Sequence, residues 1–165
     1  MIILGVDPGI ATVGYGMVEY VGNKFVASDY GAILTPAKTD LEDRLNTIFD
    51  ELCRLISYYK AENLAVEELF FNTNVKTGIA VAHGRGVILL AGKKSGVPIY
   101  EYTPLQVKQA VVGYGRAEKR QVIEMTKSIL SLTVTPKPDD TADALAIAIC
   151  HAHTEASRLR DHYNQ

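Results

Sequence analysis

Two short apolar runs that stop abruptly on an acid constrain this chain more than any other feature. Residues 1–7 (MIILGVD) end on Asp7, directly before a Pro-Gly turn, and residues 64–67 (LAVE) end on Glu67. Apolar runs of this length, closed by turn residues, are typical of buried strands. In open α/β sheets, ligands bind at the carboxyl ends of parallel strands. If the two strands are parallel, both carboxylates lie at that edge.

The rest of the chain supplies partners for these two strands. Residues 12–20 and 24–34 are strand-like and are joined by a Gly-Asn turn, which indicates an antiparallel meander. Apolar residues at steps of three and four predict an amphipathic helix over 41–59, with Thr39 or Asp40 as its N-cap. The remaining predicted elements are a strand over 97–102 and helices over 73–95, 104–111, 119–130 and 140–153.

This order of elements predicts an α/β fold. The expected sheet is mixed and five-stranded, with three antiparallel strands plus two parallel ones and helices on both faces. We expect the first, fourth and fifth strands to run parallel and to lie centrally. A chain of 165 residues fits one domain, which we assign to residues 1–153. Residues 154–165 are polar and are predicted to form a frayed C-terminal tail.

Charge is distributed unevenly along the chain. The net charge is only -2, yet residues 72–128 carry nine Lys and Arg against three acids. A basic middle between acidic flanks is expected if a DNA-contacting surface surrounds a cluster of carboxylates. Solvated helix faces rich in lysine explain the same distribution equally well.

We expect no catalytic role for the two cysteines or for the histidines near the end of the last predicted helix. Cys53 and Cys150 each lie in an apolar helical pattern, so we expect buried free thiols in a reducing cytosol. His151 and His153, near the end of the last predicted helix, are interpreted as partners of the helix dipole. The sequence shows no cleavable leader and no apolar run near the roughly 18 residues of a membrane span. We therefore expect a cytoplasmic protein without a membrane partner.

A third group of acids opens the last predicted helix, within residues 138–146 (PDDTADALA). Helix capping accounts for Asp139 or Asp140. Asp143 lies about one turn inside an apolar helix, where an apolar residue would cost less free energy. Both Asp139 and Asp140 share a helix face with Asp143, so either acid could accompany it.

The strand ends carry similar ambiguities. Asp7 alone is explained equally well by an Asp-Pro-Gly turn, and Glu68 competes with Glu67. Brought together, four carboxylates repel one another unless cations neutralise them. Ligand sets made only of oxygen select hard ions such as Mg²⁺ or Mn²⁺. Two such ions about 3.5–4 Å apart promote phosphodiester hydrolysis.

Four segments together resemble the RuvC family of Holliday junction resolvases. They occur in the family's order and at similar spacing, and the resemblance extends to about His153. The helical segments are more specific than the first, which other ribonuclease H-like proteins share. The segments are residues 5–9 (GVDPG), 65–70 (AVEELF), 106–113 (QVKQAVVG) and 140–148 (DTADALAIA).

The resemblance implies a ribonuclease H-like fold and a homodimer that cuts four-way junction DNA by paired symmetric nicks. It implies work in recombination and repair beside the RuvA and RuvB branch-migration proteins. Two Mg²⁺ ions per site, replaceable by Mn²⁺, would leave 5′-phosphate and 3′-hydroxyl ends. The implied catalytic and metal-binding residues are Asp7, Glu67, Asp140 and Asp143.

The resemblance also implies residues that contact DNA. Phe70 matches an aromatic residue that stacks on a junction base, and Lys108 and Lys119 match lysines near the DNA. From the basic middle of the chain we add Lys76 and Arg116. The alternatives are a ribonuclease H-like nuclease acting on structured RNA, a non-catalytic junction-binding module and a fragment of an actin-like sugar kinase.

Overall fold

The computed structural model describes residues 1–69 and 75–163, and it places side chains for residues 1–69 and 78–158. In this part of the chain there are five strands and five helices, with three consecutive strands at the start and three consecutive helices at the end. The strands are β1 (Ile2–Asp7), β2 (Thr12–Val21), β3 (Lys24–Leu34), β4 (Asn63–Glu67) and β5 (Ile99–Tyr102). The helices are α1 (Leu41–Tyr59), α2 (Val75–Lys94), α3 (Pro104–Val112), α4 (Lys119–Ile129) and α5 (Asp139–Tyr163).

The strands form one mixed sheet in the order β3-β2-β1-β4-β5. β1 pairs antiparallel with β2 and parallel with β4, and β4 pairs parallel with β5. The predicted sheet class is therefore confirmed. The expected central position of the fifth strand is wrong, because β5 is added outside β4 and forms an edge of the sheet. β1 lies at the centre, between β2 and β4.

Each face of the sheet is covered by helices, as predicted. One core layer joins the sheet to α1 and α2, through buried residues such as Leu4, Leu52 and Ile88. The other joins it to α3, α4 and α5, through residues such as Ile3, Val122 and Leu145. The central strands thus have no water-facing side. Polar side chains of these strands can reach solvent only where the strands end.

Glycines on the central strands allow α5 to lie directly on the sheet. A methyl group on Gly5 would collide with the backbone carbonyl of Ala144, and one on Gly14 would collide with that of Asp140. Close approach of two backbones requires residues without a side chain. The first two turns of α5 are therefore fixed against β1 and β2.

The last helix departs from the prediction in two ways. It continues through Tyr163 rather than fraying after His153. His151 consequently lies mid-helix and is fully buried, so the prediction that it partners a helix end is wrong. The hydroxyl of Tyr102 lies 2.7 Å from Nδ1 of His151. Burial lowers the pKa of His151 to about 4, which keeps the ring neutral at physiological pH.

Both cysteines are free thiols. Cys150 is buried as predicted, whereas Cys53 is partly exposed, and the hydroxyl of Ser95 lies 3.7 Å from its sulfur. Within the described residues, none of the helices combines the length and the apolar character that crossing a bilayer requires.

Candidate active site

Asp7 and Glu67 end two adjacent parallel strands. Val6 is aligned with Val66 in the β1–β4 ladder, so the next residue on each strand reaches the same edge of the sheet. The apolar residues before each acid are buried in the core, which fixes the strand ends. The side chains of both acids are partly buried. The structure thus brings together the two acids that the apolar runs predicted.

Helix α5 adds two more acids to this edge. Gly14 is the β2 partner of Asp7, and the backbone of Asp140 packs directly on Gly14. Asp143 follows one turn later, on the face toward the strand ends. The charges of Glu67 and of both helical acids are close enough to Asp7 to raise its pKa. Four carboxyl groups from three elements therefore share one small region.

The structure distinguishes Glu67 from Glu68. Glu67 lines a cleft of about 210 Å³ together with Asp143. Glu68 faces a different depression, beside Arg85 and Glu101, which form an ion pair between α2 and β5. Consecutive residues at a strand end point to opposite sides of the sheet, which explains the difference. Glu67 belongs to the acid cluster and Glu68 does not.

The helical acids are distinguished by exposure. The side chain of Asp139 is 58% exposed and that of Asp143 is 28% exposed. Asp140 is partly buried and is packed against β2 through its backbone. Asp139 therefore lies at the rim, whereas Asp140 and Asp143 lie closer to the strand ends.

The acids resist ionisation. Burial raises the pKa of Asp7 to about 8, and repulsion from Glu67, Asp143 and Asp140 adds to the effect. Burial also raises the pKa of Glu67 to about 7, with a further contribution from Asp143. The pKa of Asp143 is raised by burial too, although Lys119 opposes the shift. Burial is the largest cause at all three acids, and the repulsion between them calls for compensating positive charge.

Two lysines supply part of that compensation. Nζ of Lys119 lies 2.9 Å from the carboxylate of Asp143 and 3.8 Å from that of Asp139. Burial alone would lower the pKa of Lys119, but the hydrogen bond and the charge of Asp143 outweigh it, so the pKa is raised. Lys108 lowers the pKa of Glu67 from the opposite wall. The lysines were predicted near the DNA, and the ion pair with Asp143 was not predicted.

Helix caps position both lysines. Thr103 and Gln106 form a capping box at the start of α3, and Pro104 occupies its first turn. Glu118 and Gln121 form a second box immediately before Lys119 at the start of α4. Apolar side chains complete the cleft walls between the charged groups, namely Pro104, Val107 and Val122. The Thr-x-x-Gln spacing was the sequence signal for the first box.

The donor chemistry of the cluster fits a hard divalent cation. All of its ligand atoms are carboxyl oxygens, and the ionised form of Asp7 is disfavoured by burial and by neighbouring negative charges that a cation would offset. Among the side chains of residues 1–69 and 78–158, no three acids are grouped tightly enough to hold one ion as they stand. Lys119 instead holds the carboxylate of Asp143. A cation at this edge would compete with that ammonium group.

The other three predicted DNA contacts are Arg116, Phe70 and Lys76. Arg116 is exposed in the segment between α3 and α4. Phe70 lies outside the described residues, and the side chain of Lys76 is likewise not described although its backbone belongs to α2. Of the predicted DNA contacts, the structure therefore brings Lys108 and Lys119 to the acid cluster.

Comparison with known proteins identifies the same family by sequence and by structure. The family model described as crossover junction endodeoxyribonuclease RuvC matches residues 3–151. A crossover junction endodeoxyribonuclease RuvC from Alkaliphilus oremlandii is 59% identical over 154 residues, which cover 93% of this chain and 94% of that protein. A Thermus thermophilus RuvC structure is 35% identical with a TM-score of 0.89, covering 95% of this chain and 96% of that one. The T. thermophilus RuvC in complex with Holliday junction substrate is 33% identical with a TM-score of 0.87, at the same coverage of 95% and 96%.

Proposed function

This chain belongs to the family of crossover junction endodeoxyribonuclease RuvC, and we propose that it cuts four-way DNA junctions with the acid cluster at the edge of its sheet. It is an endonuclease of DNA recombination and repair with a ribonuclease H-like fold. The observation that carries the assignment of the site is the convergence of Asp7, Glu67, Asp140 and Asp143 from three elements. Such a cluster beside a DNA phosphate serves a binder poorly, because it repels the backbone.

We propose that the four carboxylates hold Mg²⁺, with two ions in each active site and with Mn²⁺ as a substitute. The raised pKa values of Asp7 and Glu67 support this assignment, because a divalent cation would favour the ionised forms. When bound, Mg²⁺ supplies Lewis-acid chemistry that activates water and stabilises the leaving oxygen. Hydrolysis breaks the bond between phosphorus and O3′ and leaves 5′-phosphate and 3′-hydroxyl ends.

The remaining cleft residues bind and orient the substrate strand. Lys108 and Lys119 attract the phosphates on either side of the scissile bond and offset the charge of the acids. Lys119 pairs with Asp143 in this structure, and a cation held by the acids would compete for that carboxylate and leave the ammonium group available to phosphate. Pro104, Val107 and Val122 give the cleft an apolar lining that limits water.

We further propose a homodimer that makes paired symmetric nicks beside the RuvA and RuvB branch-migration proteins. Paired nicks in two strands are most simply made by two active sites, and a homodimer supplies two copies of the acid cluster. The complex of T. thermophilus RuvC with a Holliday junction supports junction DNA as the substrate. Contacts from Phe70, Lys76 and Arg116 remain predictions of this proposal.

Conservative substitutions of the acids test the proposal. We expect Asp7→Asn, Glu67→Gln, Asp140→Asn and Asp143→Asn each to reduce cleavage of a synthetic four-way junction by at least about 100-fold. Junction affinity should persist, because each change also removes repulsion from phosphate. Gel assays with Mg²⁺, and binding assays without it, measure the two quantities.

Matched controls come from the neighbouring acids. Glu68→Gln and Asp139→Asn remove the same charge within one residue of the cluster and should keep near-normal cleavage. Loss of activity in Glu68→Gln with retention in Glu67→Gln would contradict the assignment. Equal cleavage of duplex DNA, structured RNA and junction DNA by the parent protein would contradict the proposed substrate.

A further inference from the structure

A short segment between α3 and α4 carries an exposed aromatic ring and leads directly into Lys119, which lines the catalytic cleft. It runs over residues 113–118 and has the sequence GYGRAE. Tyr114 is 47% exposed. Within the described part of the chain, Tyr114 has no ring partner and no hydrogen-bond partner. An exposed aromatic ring without a partner is free to contact a ligand.

The segment is held firmly at both ends. Gly113 caps α3 in the left-handed region, with φ of 95°, and its N–H donates to the carbonyl of Gln109 over 3.0 Å. Ala117 is only 1% exposed and anchors the other end in the core. The capping box of Glu118 then starts α4. The ring of Tyr114 is therefore presented by a fixed backbone, which lowers the entropy cost of using it for binding.

The same segment lies against the wall of the cleft. A methyl group on Gly115 would collide with the side chain of Leu105, so the backbone of the segment rests on the first turn of α3. Leu105 is itself 59% exposed and follows Pro104, which lines the cleft. Leu105 and the segment that carries Tyr114 thus form an exposed patch beside the first turn of α3, next to the cleft that Glu67 and Asp143 line.

Cationic side chains lie close to this patch. Lys108 and Lys119 line the adjacent cleft, Lys119 directly follows the segment, and Arg116 is exposed two residues after Tyr114. Aromatic platforms combined with Lys and Arg are the means by which proteins bind unpaired nucleotides. A protein partner for such a patch would need an acidic surface, whereas a nucleotide supplies both an aromatic base and a phosphate.

We infer that Tyr114 stacks on an unpaired base of the junction next to the scissile phosphate. The inference rests on the proposed function, because it requires junction DNA in the cleft. Stacking on Tyr114 fixes the sugar-phosphate backbone relative to the acids and favours strands whose bases are already unstacked. Tyr114 contacts substrate but takes part in no bond change.

Affinity for a synthetic four-way junction, measured in EDTA to prevent cleavage, tests this role. We expect Tyr114→Ala to weaken binding by about fivefold to a hundredfold, the range for loss of one stacked base. Tyr114→Phe keeps the ring and should bind like the parent. Tyr58→Ala is the matched control, because Tyr58 is 72% exposed on α1, across the sheet from α3 and α4. Thermal melting of all variants should be unchanged.

Salt dependence separates stacking from charge. Tyr114→Ala should leave the slope of log affinity against log salt unchanged, whereas Arg116→Ala should reduce it by about 0.9. Irradiation of junctions carrying 5-iododeoxyuridine beside the cleavage site should link the base to the peptide that contains Tyr114.

Two kinds of result would contradict stacking by Tyr114. Parent-like affinity in Tyr114→Ala, or an equal loss in Tyr114→Phe, would overturn stacking while leaving junction cleavage by the parent intact. A parent protein that neither binds nor cuts the junction would overturn the proposed function and this inference with it.

Discussion

At the scale of single residues, Asp7 occupies a position that is unfavourable for its own charge. Its pKa rises from 3.8 to about 8 through burial and through repulsion by the other acids. The folded chain therefore holds a proton that the unfolded chain releases. By linkage, the stability that this proton provides is complete below pH 3.8 and is lost as pH rises through 8.

This linkage predicts a pH-dependent difference between the parent protein and Asp7→Asn. Without metal, the two should melt at similar temperatures near pH 4, and Asp7→Asn should become progressively more stable than the parent toward pH 8. Asparagine removes the charge but keeps the shape, so desolvation of a carboxylate no longer opposes folding. Differential scanning fluorimetry in EDTA across this range measures the effect.

Addition of Mg²⁺ supplies the control for that experiment. Ligands that bind only the folded state raise its stability, so Mg²⁺ at pH 8 should stabilise the parent more than Asp7→Asn. A constant difference in melting temperature between the two proteins from pH 4 to pH 8 would contradict the unfavourable ionisation of Asp7 in the folded state.

The sequence identified the acids but could not choose between neighbours. Glu67 and Glu68 have identical side chains. Only the pairing register of β4 decides which of them enters the cleft. The family resemblance supplied that choice. The contact between Lys119 and Asp143 could not be predicted, because it depends on the angle and distance at which the consecutive helices α4 and α5 pack together.

At the scale of elements, the glycines of β1 and β2 determine where α5 lies. A methyl group at residue 14 would push the start of the helix away from the sheet, because it meets the carbonyl of Asp140. We expect Gly14→Ala to abolish cleavage and to cost roughly 1–3 kcal/mol of stability, as overpacking does. Junction cleavage and thermal melting together measure this.

Gly22→Ala separates lost stability from lost geometry. Gly22 has φ of 56° in the β2–β3 turn, and a methyl group there meets nothing within 4 Å. The substitution should cost about 1 kcal/mol through backbone strain and leave cleavage intact. Normal cleavage by Gly14→Ala would show that the position of α5 is not critical for the acid cluster.

Most elements were predictable because their signals are local. Apolar runs, the Gly-Asn turn and the three-four spacing of α1 each depend on neighbouring residues. The edge position of β5 was missed because strand order depends on long-range pairing. The extension of α5 was missed because polar residues after His153 resemble a tail, although pairs such as Glu155 and Arg158 stabilise a helix.

At the scale of the whole molecule, one face of α2 is a candidate dimer surface. Ile79 and Leu90 are 53% and 48% exposed, and Gly86 lies between them with open space around it. The spacing of seven and four residues places all three on one side of the helix. A second copy of the chain would cover apolar surface that is otherwise in water.

Introducing charge on this face tests the assignment. We expect the parent to have twice the 18.0 kDa chain mass in light scattering and the double variant Ile79→Asp, Leu90→Asp to be monomeric. Monomers should nick single strands of a junction and lose paired cuts. Val134→Asp, at an exposed position between α4 and α5, should stay dimeric. A dimeric double variant would place the interface elsewhere.

The position of α5 as the last helix of the fold has a consequence for biosynthesis. During translation, the strand acids Asp7 and Glu67 leave the ribosome well before the helical acids Asp140 and Asp143. Until α5 emerges, the sheet face that α5 later covers stays bare, and the nascent chain carries only half of its acid set. If the four acids form the proposed site, nuclease activity requires that α5 has emerged and packed on the sheet, so cutting of the cell's own DNA is tied to closure of the core.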